Sequence, residues 1–373
     1  MIATVTDLLP TPQQTRFLRA CLHDDIDSVR AAWARWQADA TAGGLPVRRA
    51  LAPVNAFLPL LGWNLRRAGV PLDSGLTTHL RAAALTEELR WRTYREICAD
   101  AFRLLNEHGV PFIGLNGAVV GTLAYPEPLF RHADDIDVLV HDADVDRAVA
   151  LFVKAGWSAG RVPIFANPTH APPLFHPTDV PIALHRSLLS PYYTLPYGAL
   201  WSRSRMVSVA GHDIRVLSDP DGLLHACGHG MSGLPELRWV ADAWFLLARS
   251  RAFDWDTFLA TATSSRLGLL MCHATRYLAD EIGAPVPREV VASLEKAAAT
   301  TGFIGRSLAR PWPAEPAADR PWRRQLPALW RKAFPPLLLF AHRYDLPLWS
   351  VPFHYLYRLA RGASEAMRGQ SRS

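Results

Sequence analysis

Asp135 and Asp137 stand two residues apart in the run Asp135-Ile136-Asp137-Val138-Leu139-Val140. Residues i and i+2 of a strand project to one face, so these two carboxylates can converge on one divalent cation. Mg2+ takes a few carboxylate oxygens and fills its other positions with water and phosphate oxygens. A cation held this way neutralises a triphosphate and orients in-line attack on it. The competing reading is an acidic surface turn at the start of a strand. Two neighbours weigh against that. Val138 to Val140 is apolar enough to be buried, which puts the carboxylates at the edge of a core. Upstream, Leu115-Asn116-Gly117 reads as the end of a strand and a tight turn before a helix, where backbone amides can bind phosphate.

Other residues could also do chemistry. His185 and Arg186 follow a later apolar run, Ile182 to His185; the histidine could act as a base, contact phosphate, or be a structural residue. His225, Cys227 and His229 spell H-x-C-x-H. On a helix, positions two apart point in nearly opposite directions, so the three do not converge on zinc, although His225 could still face a cleft. His170, His176 and Asp179 lie in a Pro-rich stretch that reads as a surface loop or an active-site loop. Trp349, Phe353, Tyr355 and Tyr357, near Arg358 and Arg361, either pack on the helical body or touch a membrane surface.

The elements that position these residues follow from periodicity. Residues 1 to 95 read as helical, with Phe17, Leu18, Cys21 and Leu22 and then Val29, Trp33 and Trp36 at helical spacing. A long helical stretch, Thr78 to Leu105, ends at His108-Gly109. Strands are predicted at Val110 to Leu115, from Asp135 to Val140, and at Ile182 to His185. A hairpin is predicted over Met206 to Leu217, turning at Gly211-His212-Asp213. Between them a short helix follows Gly117, and Asp144 can cap another over Val145 to Ala155. From Asp219 the pattern is helical again, apart from a Pro-rich loop from Ala309 to Arg324. The division is therefore a helical region over 1–95, an α+β core over 96–217, and a helical region over 218–373.

The chain has 373 residues, 49% hydrophobic and 20% charged, with a net charge of +6. This is a globular balance rather than a disordered one. The excess of arginine is diffuse. It suits anionic substrates or a solvated surface and gives no clustered stripe, so a nucleic-acid partner is not expected. Four scattered cysteines form no C-x-x-C pair, the start lacks a signal-peptide pattern, and no run approaches the ~18 apolar residues of a membrane span. A cytoplasmic protein is expected.

The stretch Phe112-Ile-Gly-Leu-Asn-Gly117, then Tyr125-Pro126, Arg131, Asp135-Ile-Asp-Val-Leu-Val140 and Ile182-Ala-Leu-His185, resembles the uncharacterised nucleotidyltransferase family of the polymerase-β-like superfamily. The helical N-terminal region, the stretch from His225 to Trp244, and the Arg358 to Arg361 tail are similar to it as well. The resemblance implies an α+β fold, with a small mixed-sheet nucleotidyltransferase core flanked by N- and C-terminal helical regions. It implies Mg2+-dependent transfer of a nucleoside monophosphate from an NTP to a small-molecule or peptide acceptor, with specialised metabolism as the expected setting. Asp135 and Asp137 would hold the metal, Asn116 and Gly117 would form the phosphate-side turn, Arg131 would sit near the phosphates, and His185 would belong to the catalytic set. Two positions depart from the family pattern. Asn116 stands where the family has lysine, and Ala183 stands where it has a third carboxylate. Asp179 or Asp213 could replace that carboxylate only if the chain turned suitably. The alternative is a repurposed fold with different chemistry or binding only.

Overall fold

A computed structural model describes residues 5–160, 169–231, 237–250, 252–309, 330, 334–344, 346–358 and 360. The N-terminal part is helical: α1 (Pro12–Leu22), α2 (Ile26–Thr41), the single turn α3 (Val47–Ala50), α4 (Leu58–Arg67) and the 34-residue α5 (Ser74–Glu107). Caps fit the sequence. Thr11 and Gln14 form a capping box on α1, and the Asp25 and Asp73 side chains accept from the first turns of α2 and α5. At the other end of α5 the chain turns through His108 and through Gly109 at φ 61°.

Strand β1 (Phe112–Gly114) follows, then α6 (Asn116–Ala124), β2 (Ile136–Val140), α7 (Val145–Lys154), the two-residue strands β3 (Ser158–Ala159) and β4 (Leu174–Phe175), and β5 (Pro181–His185). After α8 (Tyr197–Arg203), β6 (Arg205–Val209) and β7 (His212–Val216) close one mixed sheet in the order β3-β4-β5-β2-β1-β7-β6. Strand β2 lies between antiparallel β1 and parallel β5, with Asp137 in register with Ala183 and Leu139 with His185. The β6–β7 turn falls on Ala210 and Gly211, both at positive φ, one step earlier than the sequence suggested. With Val209 paired to His212, the two central residues both take the positive φ of a type I′ turn, which leaves His212 and Asp213 in the strand. Asp144 sits at the start of α7 without a side-chain cap bond.

The sheet's two faces belong to different cores. Phe112, Ile136, Val138, Val140, Ile182, Leu184 and Ile214 pack on one side with Ile97, Phe102 and Leu105 of α5 and Phe152 of α7. The opposite face carries Ile113, Leu115 and Leu139, and these join the core of the outer helices. That roof is built from α1–α4 together with α9 (Asp219–Gly230), α10 (Arg238–Arg249), α11 (Trp255–Ser264), α12 (Gly268–Arg276) and α13 (Arg288–Ala299). The helices before and after the sheet are joined directly: the Thr15 hydroxyl lies 2.9 Å from the Tyr277 hydroxyl, His23 bonds the Ile282 carbonyl, and the His23 ring stacks on Trp244. Residue 217 follows the last strand, whereas residue 95 lies inside α5, and both helical regions share one core.

Beyond α14 (Phe303–Leu308), the loop expected up to Arg324 lies outside the described residues from 310 onward, as does Arg361. Helix α15 (Leu337–Arg343) and residues 351–358 form a small separate cluster around Phe340 and Val351. Tyr355 packs on Phe340, while Trp349, Phe353 and Tyr357 are exposed. Among the described residues no helix is long and apolar enough to cross a membrane.

Candidate functional site

Strand parity puts Asp137 on the roofed face with Leu139, and Asp135 precedes it by two residues. Val138 to Val140 carry no polar alternation because both faces of β2 are covered. Asp137 is held on both oxygens. His185 Nε2 donates to Oδ1 at 2.9 Å, and Asn116 Nδ2 donates to Oδ2 at 3.2 Å. Burial pushes the Asp137 carboxyl up, but the bond and charge of His185, with Asn116, outweigh it and hold the group well below the usual range. Burial also works against a charged His185, and Asp137 outweighs it, so the imidazole is raised and the two form an ion pair. Asp135 is exposed at the mouth of the cleft yet crowded by protein. Its carboxyl is pushed up to about 6, first by desolvation and then by the Asp137 charge.

The turn opposite the carboxylates is shaped by contact with α5. Gly117 has φ 41° and ψ −120°, and Asn116 before it has φ 31°. A Cβ on Gly117 would meet the Tyr94 hydroxyl at 2.5 Å. That hydroxyl passes through the gap and donates to the Asp135 carbonyl at 2.7 Å, while the Leu115 amide donates to the Asp137 carbonyl at 2.9 Å. Turn and carboxylate strand are therefore stapled together. Gly117→Ala combines a strained backbone with a clash and should cost about 2–3 kcal/mol in urea unfolding. Adding Tyr94→Phe should recover part of it; a loss under ~0.5 kcal/mol would mean the turn has slack.

Beside the site, His132 is paired through both ring nitrogens. His132 Nδ1 donates to Glu87 at 2.8 Å and Nε2 to Asp134 at 2.9 Å; Arg238 also reaches Asp134 at 3.0 Å. Asp134 and Glu87 raise His132, and Asp134 is held well below the usual carboxylate range, chiefly by His132. Burial pushes Glu87 up, and His132 and Arg90 outweigh it to leave the group lowered. A raised base stabilises fully below its unfolded pKa and loses that contribution as pH climbs through the folded one; a lowered acid loses its share as pH falls. The bridge is thus strongest between roughly pH 4.5 and 6.5. His132→Ala should lower the melting temperature more at about pH 6 than at about pH 9. An equal drop at both would assign the stabilisation to packing.

Arg131, expected near the phosphates, is instead committed to the interior. Nε and Nη2 each donate to one Asp242 oxygen at 2.9 Å, Nη1 donates to the His132 carbonyl at 2.6 Å, and Tyr125 donates to Asp242 at 2.7 Å. The guanidinium stays charged because Asp242 and its hydrogen bonds outweigh the burial. Asp242, Glu87 and Tyr94 were not singled out in the sequence. An aspartate inside the apolar run Trp239-Val-Ala-Asp-Ala243 was the available signal for the first.

Ala183 stands beside Asp137 on the neighbouring strand, so the position of a third carboxylate holds a methyl group. Asp179 lies exposed at φ 65° in the turn before β5, and Asp213 is exposed on β7; neither takes that place. Of the Pro-rich stretch, His170 approaches the site, its ring centroid 5.5 Å from that of His185, while His176 packs against Trp157. Cys227 is buried, and His225 and His229 share one side of α9 with ring centroids 5.4 Å apart. Among the described residues no group of three or more His, Cys, Asp or Glu side chains is arranged to hold a metal. The donor set at hand is two carboxylates, which fits Mg2+, an ion that completes its shell with water and substrate oxygens.

No curated protein and no solved structure matches the chain. The family described as uncharacterised nucleotidyltransferase matches residues 49–282, from α3 through the end of the turn of helix that follows α12 and leaving the Arg358 tail outside. With the carboxylates, the glycine turn and the sheet that joins them inside this span, the chain belongs to the uncharacterised nucleotidyltransferase family.

Proposed function

We propose that the protein transfers a nucleoside monophosphate from an NTP, with Mg2+, to a small-molecule or peptide acceptor. The observation that carries this reading is the carboxylate pair, Asp135 and Asp137, facing the Asn116-Gly117 turn across a distance fixed by Tyr94. Asp135 and Asp137 would hold the cation, which when bound offsets the charge of the triphosphate. Asn116 and the amides of the turn would contact phosphate through hydrogen bonds alone, without the charge a lysine would bring. His185 would hold Asp137 Oδ1 and keep that carboxylate ionised. Arg131 takes no part in phosphate binding and acts through the fold. The test is incubation of the chain with Mg2+ and labelled NTPs against small-molecule and peptide acceptors. Label transferred in a Mg2+-dependent way supports the reading. No transfer, with no Mg2+–NTP affinity, ends it.

Ala183 favours a second reading, a repurposed site that binds without transferring, because the group that would activate the acceptor is absent there. Ala183→Asp separates the two. A third carboxylate beside Asp137 should destabilise the metal-free protein by about 1–2 kcal/mol, and Mg2+ should restore it. A transferring enzyme should also gain rate; a binding protein should regain metal affinity alone.

A further inference from the structure

Neither side chain expected to meet the phosphates brings charge to them. Asn116 is neutral, and Arg131 is committed to Asp242. A single Mg2+ leaves a triphosphate anionic, and Asp135 and Asp137 add negative charge beside it, so holding it calls for a further cation. Arg238 stands where one is needed. Its Nη1 donates to Asp134 Oδ2 at 3.0 Å, and Asp134 is the chain neighbour of Asp135. The Arg238 side chain is 26% exposed and that of Asp134 63%, which places their contact at the open mouth of the cleft. Burial and the Asp137 charge raise the Asp135 carboxyl, and Arg238 is close enough for its charge to oppose them.

The fold fixes this position. Arg238 and Asp242 lie at i and i+4 on α10, and therefore on one side of it. Asp242 is bound by Arg131 and Tyr125 in the interior, which brings the outer end of the same side against residues 131–134. Arg238 also opens α10, where the helix dipole already favours an anion, so the guanidinium and the first-turn amides draw negative charge to one place.

We propose that Arg238 is the phosphate-binding cation of this site, exchanging Asp134 for the triphosphate when the nucleotide arrives. The proposal rests on the nucleotidyl-transfer reading and names the residue that supplies the charge missing at Asn116. A guanidinium presents its N–H donors in a flat fork that matches phosphate oxygens, and it stays charged. Before the nucleotide arrives, Asp134 holds the side chain at the cleft mouth. A solvent-exposed ion pair is weak enough to be exchanged for a more highly charged partner. Asp134 keeps His132 Nε2, at 2.9 Å, when Arg238 leaves.

Two variants test this without touching the carboxylate pair. Arg238→Gln removes the charge and keeps a hydrogen-bonding side chain. Asp134→Asn breaks the ion pair and keeps the charge of Arg238. The probes are Mg2+ with an NTP and Mg2+ with inorganic tripolyphosphate, read by calorimetry, with a thermal melt of each variant to show that it is folded. Arg238→Gln should weaken both probes by at least about tenfold and by the same factor, because the contact is to the phosphates they share. Asp134→Asn should bind both as tightly as the parent or about threefold more tightly, since Arg238 no longer has to leave a carboxylate. A bridge that only supports the fold predicts instead that both variants weaken binding alike. Weaker binding in Asp134→Asn, or full NTP affinity in Arg238→Gln, overturns the proposal and leaves nucleotidyl transfer standing. Weakening confined to the NTP overturns it too and gives Arg238 to the nucleoside. A parent that binds neither probe removes both readings.

Discussion

Replacing Arg131 with methionine should cost the folded protein about 3–5 kcal/mol, enough to unfold a domain of ordinary stability or bring it close to unfolding. The reason is what remains behind. The Asp242 side chain is 3% exposed and takes two charge-assisted bonds from the guanidinium. Without Arg131 it keeps, among the described residues, only Tyr125, and a carboxylate shut away from water with one neutral donor is costly. Urea unfolding would measure the loss. The double change Arg131→Met, Asp242→Leu should recover much of it, because an apolar pair of similar volume does without the buried charges. A phosphate ligand would behave differently: its loss would weaken nucleotide binding and leave stability within about 1 kcal/mol. That second pattern would return Arg131 to the cleft.

The other large effect is expected from the double variant Asp135→Asn, Asp137→Asn. Removing both charges removes the reason for a cation to bind, and metal stabilisation of a reacting phosphate is worth several kcal/mol. Mg2+-dependent labelling should fall on the order of a thousandfold. Surviving activity would mean that the carboxylates are not the reactive centre. Stability should move the opposite way for Asp135→Asn alone. The folded carboxyl is raised to about 6, so its ionised form is penalised in the fold. The penalty is absent below about pH 3.8 and complete above the folded value. Taken at face value the shift corresponds to about 3 kcal/mol, and solvent around this exposed side chain reduces that to roughly 1 kcal/mol. The metal-free variant should therefore melt higher than the parent at about pH 7.5 and lose the advantage in acid. Activity lost together with stability gained is the signature of a residue retained for binding.

Much of the sheet was legible because it rests on short-range rules. The period of two places Asp135 and Asp137 together, and the unbroken Val138 to Val140 run announces a strand covered on both sides. Asn116 and Gly117 were recognisable as a turn because positive φ there favours such residues. What escaped is long-range. The pairing of β2 with β5 joins residues separated by an intervening helix and hairpin, so the place of Ala183 beside Asp137 follows from register and not from local pattern. Arg131 and Asp242 are 111 positions apart, and no spacing rule links them. In H-x-C-x-H, Cys227 is buried in the core of the roof. The pair that does share a side, His225 and His229, lies at i and i+4 and is visible once α9 is known to be a helix.

The shared roof has a practical consequence for anyone wishing to shrink this protein. A gene fragment trimmed to 96–217 would begin partway along α5, after Tyr94, and would strip the cover from Ile113, Leu115 and Leu139. It would lose the pin between turn and strand as well as the lid over its greasy side, and the exposed surface would invite aggregation. The carboxylate-bearing sheet is therefore not a portable cassette. Its shape depends on helices from both sides of it in sequence, so the smallest unit that keeps the cleft includes the N-terminal helices and those after residue 217.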